Sequence, residues 1–160
     1  MAEVVRVRYD DPAHAAALVE LMDTYARDPA GGGEGLSEFA HNNLVDELAA
    51  RPFIFSVLAY EDATPVGLIN AIEGFSTFAC RPLVNVHDVV VAPSHRGRGI
   101  AGQMFAEIET IARELGACKL TLEVLAGNHV ARMLYEKLGF AAYQLDPAMG
   151  QAQFLQKWLD

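Results

Sequence analysis

Cysteine is scarce in this chain of 160 residues: there are two, Cys80 and Cys118. They form no CxxC pair and no Cys/His cluster. That excludes the usual zinc spacings and a disulfide-stapled scaffold, so no metal is expected. No apolar run is long enough to span a bilayer, so no membrane partner is expected either. The opening MAEVVRVRYDD lacks a basic stretch leading into an apolar segment of signal length. The expected compartment is therefore the cytoplasm. Basic residues are also few, 12 Lys and Arg against 21 Asp and Glu, for a formal charge of −9. Residues 1–75 hold 13 acids and 4 bases, whereas residues 76–160 hold 8 of each. An acidic field repels nucleic acid and anionic membranes and draws cations, although acids also simply keep a surface soluble. Repeats are absent, and Gly31-Gly32-Gly33 is the one low-complexity tract.

What is present reads as a globular α/β (α+β) chain, 52% hydrophobic and 21% charged. Its length suits a single domain over residues 1–160. The β-branched alternation of Val4–Tyr9 predicts a strand, and Asp10-Asp11-Pro12 caps a helix with Ala15, Leu18, Val19 and Met22 inward. Asp28 to Gly33 reads as the most flexible loop. A second helix, roughly Leu36 to Ala50, turns Phe39, Leu44, Val45 and Leu48 inward. Phe53–Tyr60 and Pro65–Gly74 read as a hairpin, and Leu83–Val91 as a further strand. Gly99–Leu115 is the clearest helix, stopped by Gly116. Lys119–Leu125 is a strand, Asn128–Leu138 a helix, and Phe140–Leu145 and Phe154–Leu159 closing strands.

The chemistry-bearing segment is Arg96-Gly97-Arg98-Gly99-Ile100-Ala101, between the strand end Val89-Val90-Val91 and a helix. Unpaired N–H groups at a helix start, with the helix dipole, make an anion site. Glycines let the backbone approach phosphate oxygens. Arg96 and Arg98 add fixed positive charge, with His95 beside them. No P-loop GxxxxGK[ST] is present, and the loop lies too late in the chain for a dinucleotide fold. A plain strand-to-helix turn with surface arginines is the alternative.

These six residues resemble the (Q/R)-x-x-G-x-(G/A) signature of the GNAT N-acetyltransferase superfamily. The segment Asn128-His129-Val130-Ala131 through Tyr135 to Gly139-Phe140 is similar to the same family's N-x-x-A-x-x-x-Y-x-x-x-G-F element. Glu73 to Phe78 faintly resembles its diamine acetyltransferase branch. The resemblance implies a mixed central sheet with helices on both faces and acetyl-CoA as cosubstrate. It implies that backbone groups of Val89 and Val91 bond the pantetheine arm. The N–H groups of Gly97, Arg98, Gly99, Ile100 and Ala101 would hold the pyrophosphate. An N–H near Val90 or Val91 would face the thioester oxygen. Asn128 would bond the cofactor arm, and Tyr135 would protonate the leaving thiolate. A homodimer is also implied.

The base stays open among His87, Asp88 and Glu73. Strand alternation puts His87 with Asn85 and Val89 on one face and Asp88 on the other. The acceptor side, from the first two helices, their loop and the middle strands, includes Asp28, Glu34, Glu38, Glu73 and Phe75. Its acidity suits a small cationic amine: a polyamine, a diamine or an amino-acid-like acceptor. Acetylation of a protein amine and a non-catalytic acyl-CoA-binding module are the competing readings.

Overall fold

A computed structural model describes residues 1–159. The described chain forms two compact units, one from Met1 to Leu122 and one from Glu123 onward. Among the described residues, the first unit carries five strands in chain order: β1 (Glu3–Arg6), β2 (Ile54–Glu61), β3 (Thr64–Ser76), β4 (Arg81–Val91) and β5 (Leu120–Leu122). Its helices are α1 (Pro12–Arg27), α2 (Glu38–Ala49) and α3 (Ile100–Glu114). Neighbouring strands are antiparallel except β4 and β5, which run parallel, as a helical crossover requires.

Local chemistry accounts for the helix ends. Asp11 caps α1 by accepting from Ala13 N–H, with Pro12 at the first position. Ser37 caps α2 through Ala40 N–H at 3.1 Å. Gly99, left-handed at φ 80°, opens α3, and Gly116 at φ 71° follows its end.

The helices cover both faces of the sheet. Leu18 and Leu21 of α1 pack with Leu58, Leu68 and Val90, and Leu44, Val45 and Leu48 of α2 join them. On the opposite face α3 buries Ile100, Met104, Phe105 and Ile108 against β2, β3 and β4. Gly67, next to Leu68 in β3, faces α3: a Cβ there would lie 2.8 Å from Met104 Cε.

Two expectations fail in this frame. Phe39 does not turn inward but is 73% exposed, because the buried stripe of α2 runs through Leu44, Val45 and Leu48. The loop after α1 carries a short turn of its own. Pro29–Gly31 is a 3-10 turn capped by Asp28, and Gly33 N–H closes back on Ala26 O at 3.0 Å. Phe140–Leu145 and Phe154–Leu159 are not strands. An apolar run becomes a strand only with a ladder partner. Here the backbone offers local turns and the bond from Ala152 N–H to Tyr143 O, 2.9 Å, which do not make a ladder. The second unit is built on α4 (His129–Lys137) and a 3-10 turn at Pro147–Met149.

Candidate active site

The β4 strand is held on both sides only over part of its length. β3 pairs with it from Arg81 to Val91, whereas β5 pairs only from Val84 to Val86. From His87 onward its second edge carries no β5 ladder. An open edge of this kind accepts an extended ligand by backbone hydrogen bonds. The chain then passes a 3-10 turn, Pro93–His95, and enters α3 through Gly97 and Gly99 at φ 76° and 80°. The first helical bond there is Gln103 N–H to Gly99 O, so the preceding N–H groups face outward from the helix start. Open edge, left-handed glycines and helix N-terminus follow one another along the chain, backbone chemistry suited to an extended ligand with an anionic end.

The two arginines of the loop are already engaged. Arg96 pairs with Asp28 at 2.8 Å, and its Nε donates to Val91 O at 3.2 Å. Arg98 pairs with Glu61 at 3.0 Å, and His95 Nε2 lies 3.6 Å from the same carboxylate. The arginines thus fasten the loop to acids elsewhere in the chain. Val91 O is correspondingly committed to Arg96. Asp28 is held below the usual carboxylate range, first by Ala30 N–H and then by Arg96.

The middle of β4 departs from alternation. Asp88 pairs with Asn70 and Val86 pairs with Ala71, which leaves His87 as an inserted residue, a β-bulge. Asn85 pairs with Ile72, so Asn85 and Asp88 share a face and the expected pairing of Asn85 with His87 and Val89 is overturned. His87 is exposed. Asp88 faces the α1 side. Its Oδ2 accepts from Asn70 Nδ2 at 3.0 Å, and Asn70 Nδ2 also lies 3.3 Å from Met22 Sδ of α1. Tyr25 of α1 stands in the same field: burial, then the charges of Asp88 and Asp28, push its phenol up. Glu73 is three residues from Asn70 along β3 and therefore lies on the α3 face, away from Asp88. Phe75 is 59% exposed and pairs with Pro82, roughly 16 Å along β3 from Asn70. Glu34 and Glu38 are exposed, in the α1–α2 connection and the first turn of α2.

In the second unit Asn128 is the N-cap of α4, its Oδ1 accepting from Ala131 N–H at 3.2 Å. That carboxamide oxygen caps the helix. Tyr135 meets Phe140 edge-on at 5.9 Å, and Phe140 N–H closes on Tyr135 O. The described residues contain no group of three or more His, Cys, Asp or Glu placed to hold a metal, and no helix long and apolar enough to cross a membrane.

Residues 16–140 match the Acetyltransferase (GNAT) family. The chain belongs to that family. Streptothricin acetyltransferase of Streptomyces lavendulae is 37% identical to it over 89 residues, 54% of this chain and 47% of that one. Aminoglycoside N(6')-acetyltransferase type 1 of Acinetobacter haemolyticus is 22% identical over 107 residues, 65% of this chain and 74% of that one. The chain thus spans under half the length of the streptothricin enzyme. Among solved structures, a probable acetyltransferase superposes with a TM-score of 0.81 at 21% identity over 99% of both chains. AAC(6')-Iy, in complex with the bisubstrate analogue CoA-S-monomethyl-acetylneamine, gives 0.78 at 18% identity over 99% of both. These likenesses establish the GNAT fold.

Sequence reasoning missed Tyr9, Tyr25, Ser56, Glu61 and Asn70. A signal was present for two of them. Ser56 and Asn70 each interrupt an apolar strand, Ile54–Ala59 and Val66–Ile72, and a polar residue there needs a partner. Nothing local marks Tyr9, Tyr25 or Glu61, whose neighbours come from distant segments.

Proposed function

We propose that this GNAT chain transfers the acetyl group of acetyl-CoA directly to a primary amine of a small acceptor carrying more than one positive charge. The observation carrying this reading is Asp88. It is an oriented carboxylate on the α1 face of β4, next to the bulge where the strand leaves β5 and before the Gly97–Gly99 loop. The open edge of β4 and the N–H groups at the start of α3 would hold the cosubstrate, which supplies an activated acetyl thioester. An alkyl amine has a pKa of about 10, so at neutral pH it arrives as an ammonium and must lose a proton before attacking. Asp88 receives the ammonium and takes that proton. The amine nitrogen bonds to the thioester carbonyl carbon, the carbon–sulfur bond breaks, and the second proton the nitrogen sheds balances the one the leaving thiolate takes up to give CoA-SH. The family pattern gives Tyr135 the task of returning a proton to the leaving thiolate.

The acceptor class follows from charge. The charges of Asp88 and Asp28 both reach the Tyr25 phenol, so a second ammonium on the substrate would meet a second carboxylate, one that Arg96 also holds. Streptothricin and aminoglycosides, named for the two relatives, are polyamines in this chemical sense, and simple diamines share the feature. We further take the protein as one acetyltransferase domain, homodimeric and cytoplasmic. An acceptor panel assayed by CoA release tests the reading: an aminoglycoside, streptothricin, a linear diamine, a neutral amino acid and a peptide N-terminus. Polycationic acceptors should give the highest kcat/KM. Preference for the neutral amino acid or the peptide would sink the assignment.

A further inference from the structure

Two buried polar side chains sit in strands that are otherwise apolar. Ser56 is 2% and Asn70 is 4% exposed. Such groups are costly to bury unless bonded, and these are bonded in line. Asn70 Oδ1 can only accept, so the single hydroxyl proton of Ser56 goes to it, at 2.6 Å. Ser56 Oγ then offers only lone pairs to Tyr9, whose phenol must be the donor at 2.9 Å. Burial pushes the Tyr9 phenol up, which keeps it a donor. Asn70 in turn donates Nδ2 to Asp88 Oδ2 at 3.0 Å. The chain therefore has one direction, from a phenol after β1, through β2 and β3, to a carboxylate on β4. Reversing the Asn70 amide would turn its oxygen onto the Asp88 carboxylate, two acceptors face to face. The network itself thus fixes which end faces Asp88.

We propose that Tyr9, Ser56 and Asn70 are positioning residues for the reaction: they clamp Asp88 Oδ2 and leave Oδ1 free to receive the acceptor's proton. This rests on the reading of Asp88 as the base. The clamp is needed because Asp88 follows the bulge at His87, where a one-residue insertion leaves the strand's own pleat unable to aim the side chain. The groups around Asp88 are Asn70 from β3, Tyr25 from α1 with Asp28 beyond it, Arg96 paired to Asp28, and His87 on its own strand.

The test measures kcat and both KM values in the wild type, Asp88→Asn, Asn70→Ala and Tyr9→Phe. The thermal shift on adding acetyl-CoA reports that each variant is folded and binds the cosubstrate. Asp88→Asn should lose about 100-fold or more in kcat. Asn70→Ala should lose about tenfold in kcat, with both KM values unchanged. Tyr9→Phe, at the far end, should lose less, again in kcat alone. Wild-type turnover in Asp88→Asn would remove the base and the clamp together. An inactive Asp88→Asn with wild-type kcat in Asn70→Ala and Tyr9→Phe, or losses there that fall in KM, would keep the base and overturn the clamp. If Asn70→Ala does not fold, the kcat of Tyr9→Phe decides alone.

Discussion

Asp28 ties the turn after α1 to the loop that enters α3 with a few atoms. Oδ1 accepts from Ala30 N–H at 2.9 Å, and Oδ2 accepts from Arg96 at 2.8 Å. The folded protein holds this carboxyl below its ordinary value, near 4. A group lowered by folding contributes stability above its unfolded value and loses it as pH falls through the folded one. Asp28→Asn keeps a capping oxygen and removes the charge. The variant should melt below the wild type at neutral pH, and the gap should close as the pH is lowered below about 4. A gap independent of pH would show that Asp28 contributes no charge term. Gly99 is the second instructive residue. Its φ is 80°, and a Cβ added there would meet no neighbour within 4 Å, so Gly99→Ala brings backbone strain without a clash. The expected cost is about 1 kcal/mol in chemical denaturation, together with weaker acetyl-CoA binding.

Among the elements, α3 and β3 approach most closely at Gly67. A Cβ there would stand 2.8 Å from Met104 Cε, 2.9 Å from its sulfur and 3.1 Å from Ile100 Cγ2. Met104 is fully buried and has little room to yield. Gly67→Ala should therefore destabilise by about 1–3 kcal/mol through overpacking. Met104→Ala should cost about 2–5 kcal/mol through a cavity. The double variant should cost clearly less than the sum, because each change relieves the other, and strict additivity in urea melts would contradict this packing. The β4 strand shows what periodicity cannot reveal. Helix α3 was legible because its apolar spacing, its opening glycine and Gly116 are local. The bulge at His87 is not local, since it is defined by which β3 residue each β4 residue faces. One inserted residue reverses parity, and with it the assignment of the face that Asp88 and Asn85 share.

For the whole molecule, charge is the governing quantity. The acids are concentrated in the first 75 residues, which supply α1, α2 and the start of the sheet. A polycationic acceptor is drawn by this field over distances comparable to the Debye length. Its kcat/KM should fall as salt rises from about 20 to about 200 mM, while a monocationic acceptor should respond less. Equal salt dependence for both would remove steering from the account.

The amino-acid sequence alone determined the family signatures at Arg96–Ala101 and Asn128–Phe140, the helix boundaries at Asp11-Pro12 and Gly116, and the αβ order up to the parallel strand β5. These depend on neighbours a few residues apart, where backbone conformation and apolar spacing speak directly. Only the tertiary structure decided that Arg96 and Arg98 answer Asp28 and Glu61, and that His87 is the inserted residue. It alone joined Tyr9, Ser56, Asn70 and Asp88, residues from four separate stretches of the chain, into one hydrogen-bonded line. The physical reason is register: a hydrogen bond across a sheet depends on pairing between strands, and pairing is a property of the folded whole.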